Sequence, residues 1–84
     1  MSDDEVLRLI QEALRSTLPE RESEFGQVTL DTDLQSLGIG SLAFMETVGY
    51  LEDHLATTFR GADMAKASKV RDIATLVRAT GVTV

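Results

Sequence analysis

Leu37-Gly38-Ile39-Gly40-Ser41-Leu42 runs straight into a long amphipathic pattern, and this junction decides how the chain reads. Two glycines loosen the backbone, one serine hydroxyl stands at the entrance of a helix, and Leu42 lies off the apolar stripe that follows. A helix N-terminus presents free backbone N–H groups and a partial positive charge, a setting suited to a serine that bears a phosphate ester.

The pattern predicts a helix over residues 41–59. Phe44, Val48, Leu51, Leu55 and Phe59 form its core stripe, with Met45 at the margin. The opposite arc stacks Leu42, Glu46, Gly49 and Asp53: two acids, one exposed leucine and a bare glycine. Glycine costs a helix about 1 kcal/mol relative to alanine, so Gly49 suggests close approach by another body.

Working outward, residues 3–18 read as a helix with Val6, Leu7, Ile10, Ala13, Leu14 and Leu18 on one side and Pro19 closing it. Residues 19–40 form a long loop without sustained period, pinned by Phe25, Val28, Leu30, Leu34 and Leu37. A short helical turn is expected at 33–37, ended by Gly38. Beyond Arg60 come a short helix near 62–66 and a last helix over 69–80. Ser68 is its expected cap, Val70, Ile73, Ala74 and Val77 its inner face, and Gly81 its stop. The expected fold is all-α: one domain over residues 1–84, a small bundle of three main helices plus one short helix, with a long loop between the first two.

Composition narrows the function. Eighty-four residues leave room for a single modest core and little for an enclosed active site, and the 43% that are apolar suffice for a globular core. There is no cysteine, hence no disulfide or thiolate metal site. No apolar run approaches a membrane span, and the acidic start Met1-Ser2-Asp3-Asp4-Glu5 is unlike a targeting peptide, so a cytoplasmic monomer is expected. Net charge is −6, and Glu22, Glu24, Asp31, Asp33, Glu46, Glu52 and Asp53 follow one another with no Lys or Arg before Arg60. Such a segment argues against nucleic-acid or anionic-membrane binding and favours partners with basic patches.

Enzymatic readings of the motifs fail one by one. Gly38-Ile39-Gly40-Ser41-Leu42-Ala43 matches a relaxed dinucleotide fingerprint, but the chain has no room for the βαβ unit that gives it meaning. Ile39 and Ala43 stand where a nucleophile elbow needs glycines. The sole histidine, His54, lies roughly 20 Å from Ser41 along the same helix and cannot act as its base. Asp31 and Asp33 resemble the opening of a calcium loop, yet Ser36 and Leu42 replace its glycine and glutamate, so turn or cap roles are expected. No catalytic and no metal-binding residues are assigned, and the chain is not expected to be an enzyme. Ser41 reads either as a plain helix cap after a glycine turn or as a substrate for another protein, and the residues around it decide for the second.

Asp33-Leu34-Gln35-Ser36-Leu37-Gly38-Ile39-Gly40-Ser41-Leu42, with the helix that follows, resembles the acyl and peptidyl carrier protein family. Leu34, Leu37, Gly38, Ser41 and Leu42 fit its L-x-x-L-G-x-[D/H/N]-S-L core in register, and the helix order extends the likeness over nearly the whole chain. The resemblance implies that a separate phosphopantetheinyl transferase joins 4′-phosphopantetheine from coenzyme A to Ser41, between Gly40 and Leu42. The arm's thiol would then carry an acyl or aminoacyl group as a thioester to partner enzymes, such as an adenylating acyl or amino acid ligase or a synthase or transferase. It also implies that the second helix is the recognition surface, through Leu42, Glu46, Gly49, Glu52 and Asp53. Gly40 departs from the family's usual aspartate, which helps engage the transferase and its Mg²⁺, and Gly49 stands where a larger apolar residue is common. These departures, with a milder acidity, favour a specialised discrete carrier, and Met1 without linkers favours a free-standing one. A small cargo loaded by an adenylating ligase is the expectation. The alternative is an unmodified carrier-like interaction or regulatory protein in which Gly40 marks lost transferase recognition.

Overall fold

The structure, a computed structural model, describes residues 2–80; Met1 and the expected helix stop Gly81 lie outside the described residues. The first helix, α1 (Asp3–Thr17), opens on a reciprocal cap: the Ser2 hydroxyl accepts the Glu5 N–H at 3.2 Å, and the Glu5 carboxylate accepts the Ser2 N–H at 3.1 Å. The Ser2 N–H, with the Ser2 hydroxyl adding to it, holds the Glu5 carboxyl below its ordinary range. Val6, Leu9, Ile10, Ala13 and Leu14 are buried, whereas Leu7 and Leu18 are half-buried. Leu9 joins the core beyond the expected stripe because α1 packs against α3 (Gly40–Leu55) and α5 (Val70–Ala79) together. A helix held between two neighbours needs a broader apolar face.

The connection after α1 is more ordered than its lack of period suggests. A 3₁₀ turn at Pro19–Arg21 leads into a short helix, α2 (Glu22–Phe25), and a second 3₁₀ turn spans Gln35–Leu37. Proline starts the first turn without losing a needed N–H, and Phe25, fully buried, closes α2 onto the core. Val28 and Leu37 are buried as expected, and Leu30 and Leu34 pack at the core's edge. Gly38, at φ 61°, ends the second turn in the left-handed region that glycine enters freely.

Helix α3 stops short of the expected residue 59. Ala56 turns left-handed at φ 52°, ψ 45°; the Thr57 N–H reaches the Glu52 carbonyl at 3.0 Å, and the Ala56 N–H reaches that of Asp53 at 3.4 Å. This is a Schellman closure with alanine in the place glycine usually holds, so no composition signal announces it. Phe59, four residues past Leu55, imitates a continuing stripe but packs half-buried from the following loop. The buried face of α3 is Thr47, Leu51 and Leu55, with Phe44 and Val48 half-buried. Thr47 is buried without cost to hydrogen bonding: its hydroxyl donates to the Ala43 carbonyl at 2.8 Å and sits 3.3 Å from the Thr17 hydroxyl of α1.

The short helix α4 (Gly61–Lys66) falls where expected and anchors through buried Met64. In α5 all four expected inner residues, Val70, Ile73, Ala74 and Val77, are buried. Its cap differs from the expected Ser68 hydroxyl. The Asp72 carboxylate accepts the N–H groups of Ser68 (2.9 Å) and Lys69 (3.0 Å), and the Ser68 hydroxyl donates to it as well. Among the described residues there is no strand, only a single antiparallel bridge between Asp33 and Lys69. The fold is thus all-α, as expected.

The hydrogen bonds from Lys69 and Ser68 hold the Asp72 carboxyl below its ordinary 3.8. A depressed carboxylate stabilises the fold fully above its unfolded value and loses that contribution as pH falls through the folded one. Thermal melts of wild type and Asp72→Asn should therefore differ most near neutral pH and converge in acid below about pH 4.

Candidate functional site

Backbone conformation sets the site before any side chain does. Gly38 and Gly40 both take left-handed φ, 61° and 78°, with Ile39 between them in the right-handed region. The chain thus reverses twice within three residues and enters α3 abruptly at Ser41. The Ile39 cap position makes no side-chain hydrogen bond, so the first N–H groups of α3 have no side-chain cap. Ser41 is exposed, and its hydroxyl has no hydrogen-bond partner among the described residues. It does not serve the helix as a cap. The hydroxyl is left free for chemistry from outside.

Ser41 lies on the rim of an open groove of about 470 Å³ between the second 3₁₀ turn, the start of α3 and α4. Leu34, Ile39, Phe44, Met45 and Met64 supply its apolar lining. The groove opens directly beside Ser41, with Gln35 and the Gly38–Gly40 backbone among its lining, so a slender arm attached there has room to lie with its methyl and methylene groups on the apolar residues, and the residues present fit a covalently attached pantetheine arm. Leu42 and Met45, 73% and 69% exposed, are the large hydrophobics that α3 leaves in solvent, and they flank Ser41. Met45, expected at the margin of the core, is instead exposed, whereas Phe44 beside it packs half-buried against the core.

The expected recognition arc holds together on one strip, with Leu42, Glu46 and Asp53 exposed and Gly49 half-exposed. A Cβ added at Gly49 meets no neighbour within 4 Å, so any close approach there comes from outside the chain. Glu52 is placed differently. It is half-buried, and its carboxylate accepts the Phe59 N–H at 2.8 Å, tying the end of α3 to the loop beyond. His54 is exposed and stacks on Tyr50 with ring centroids 6.1 Å apart. Asp31 pairs with Arg71 at 3.0 Å, and the Asp33 carbonyl accepts the Ser36 hydroxyl at 2.6 Å.

Arg21 is the residue that sequence spacing did not single out. Its guanidinium donates to the Leu37 carbonyl at 2.6 Å and the Gly38 carbonyl at 3.4 Å, binds Glu24 through Nε and Nη2, and lies 5.6 Å over the Phe25 ring. The Glu24 hydrogen bond raises the Arg21 pKa, and the same contact lowers that of Glu24. Only its position just before the acid-rich segment could have hinted at this reach.

A family profile described as phosphopantetheine attachment site matches residues 4–77. The chain belongs to this family, whose members carry covalently attached 4′-phosphopantetheine and act as carriers. Such carrier domains are typically non-catalytic and work with transferases and synthases. No individual curated protein and no solved structure matches the chain significantly. No helix among the described residues is long and apolar enough to cross a membrane.

The two glycines of α3 should respond oppositely to alanine, although neither has a neighbour in the way. Gly40→Ala forces a side chain into left-handed φ and should destabilise by about 1–2 kcal/mol. Gly49→Ala, in regular helix, should stabilise by up to about 1 kcal/mol. Urea denaturation of the two variants reads both signs.

Proposed function

We propose that Ser41 is the attachment point of 4′-phosphopantetheine and that the chain holds an acyl or aminoacyl group on this arm for delivery to partner enzymes. The observation that carries the reading is the unpartnered, exposed Ser41 hydroxyl at an uncapped helix end beside an apolar groove. A hydroxyl engaged in capping would have to surrender that bond to react. Ser41 surrenders nothing. The free N–H groups and dipole of α3 favour the negative phosphodiester that modification creates. When attached, the arm supplies a terminal thiol able to carry its cargo as a thioester, a nucleophile that this cysteine-free chain lacks.

The remaining residues divide between shelter and recognition. Phe44, Met45, Met64 and Leu34 offer the proximal arm a surface partly withdrawn from water. Leu42 and the exposed acids Glu46 and Asp53 present an apolar contact beside negative charge, which suits a basic-rimmed hydrophobic patch on a phosphopantetheinyl transferase, an adenylating ligase or a synthase. Within this reading Gly40 and Leu42 frame the attachment point, Gly49 leaves room for the partner, and Glu52 contributes mainly by holding the end of α3. The carrier works as a single cytoplasmic domain.

Incubating the protein with coenzyme A and a broad-specificity transferase should add one phosphopantetheinyl mass to wild type and none to Ser41→Ala. An unmodified wild type across several transferases, or a modified Ser41→Ala, refutes the assignment. Replacing Glu46 and Asp53 together by lysine should slow association with the transferase several-fold at low salt, with the difference shrinking as salt rises. Stopped-flow binding at two ionic strengths measures it.

A further inference from the structure

We propose that Arg21 is a positioning residue for the modification of Ser41, acting through the backbone of the Leu37–Gly40 loop; the role rests on the Ser41 reading above. Gly38-Ile39-Gly40 is a weakly determined piece of chain. Two of its residues are glycines with access to many conformations, and no side chain caps the helix that follows. Something outside the loop must select the double reversal that presents the serine. The guanidinium of Arg21 is placed to do so, because it donates to the carbonyls of the two peptides that flank Gly38, that of Leu37 at 2.6 Å and that of Gly38 at 3.4 Å. Those carbonyl orientations define the left-handed turn at Gly38.

Arg21 is itself held in place. Glu24 grips it through two charge-assisted bonds of 2.9 and 3.1 Å, and its plane rests over Phe25, which is fully buried. The rigid core is thereby connected to a mobile-type sequence through one planar fork, a geometry that an ammonium cannot reproduce. Without the fork the loop would populate other states, and a transferase that needs one of them would see a carrier of lower apparent affinity in proportion to the competent fraction.

Arg21→Met keeps the apolar stem over Phe25 and removes the fork; Arg21→Lys restores one charge. With full-length protein, coenzyme A and a broad-specificity transferase, Arg21→Met should raise the KM for the carrier about tenfold, the scale of one charged hydrogen bond. The kcat and the KM for coenzyme A should stay at wild-type values, and Arg21→Lys should fall between. Amide hydrogen exchange at Ile39, Gly40 and Ser41 should quicken in parallel, with α5 unaffected. A wild-type KM in Arg21→Met, faster exchange with no change in KM, or loosening that spreads to α5 would each overturn the role. Failure of wild type to be modified would strike the Ser41 assignment instead, and exchange at residues 38–41 would then decide the clamp by itself.

Discussion

The structure depends on where the backbone hydrogen bonds of the α1–α3 connection go. A segment without its own ladder must find partners for its polar groups or remain in water. Here the first N–H groups of α5, which a helix cannot pair internally, meet the connection's carbonyls: Arg71 N–H to Leu30 at 2.7 Å and Val70 N–H to Thr32 at 3.0 Å. Leu34 returns an N–H to the Ser68 carbonyl at 2.9 Å, and Gln11 of α1 donates to the Val28 carbonyl at 3.0 Å. One exchange satisfies a helix end and a loop together. Phe25, Val28 and Leu37 then bury the apolar side of the same segment.

The two ends of α3 are built to different standards. Its C-terminus is closed by the Ala56 reversal and by the Glu52 carboxylate on Phe59, so its orphan carbonyls and the chain beyond are fixed. Its N-terminus has no side-chain cap, carries left-handed glycine and leaves Leu42 and Met45 in solvent. Each departure would weaken an isolated helix. Gathered at one end around one serine, they mark a place where local stability has been given up for access, as is usual of sites that another protein must reach.

Charge follows the same division. Three arginines are paired within the fold: Arg21 by Glu24 and two carbonyls, Arg71 by Asp31, and Arg78 by Asp3 of α1. Exposed pairs of this kind contribute little stability individually. Their consequence is geometric; the outer strip of α3 carries Glu46 and Asp53 because residues 40–55 contain no Lys or Arg. Carrier domains of this family generally work with transferases and synthases, and a charged strip of this kind speeds encounter by long-range attraction more than it tightens a final complex.

Much of this was legible in the residues. The α5 stripe Val70, Ile73, Ala74 and Val77, the Gly38 stop, the short helix at Met64 and the exposed serine after two glycines all follow from periodicity and local backbone preference, which act over a few residues. What escaped depends on neighbours distant in the chain. Leu9 is core because two helices cover α1; Phe59 leaves the helix because Ala56 accepts a left-handed turn; Glu52 serves a loop, and Asp72 caps where Ser68 was expected. Arg21 touches Leu37 and Gly38 only because Phe25 folds α2 inward. Sequence alone determined which residues form helices and which serine stands at a helix entrance. The tertiary structure decided how that serine is held, since hydrogen bonds between remote segments have no period to read.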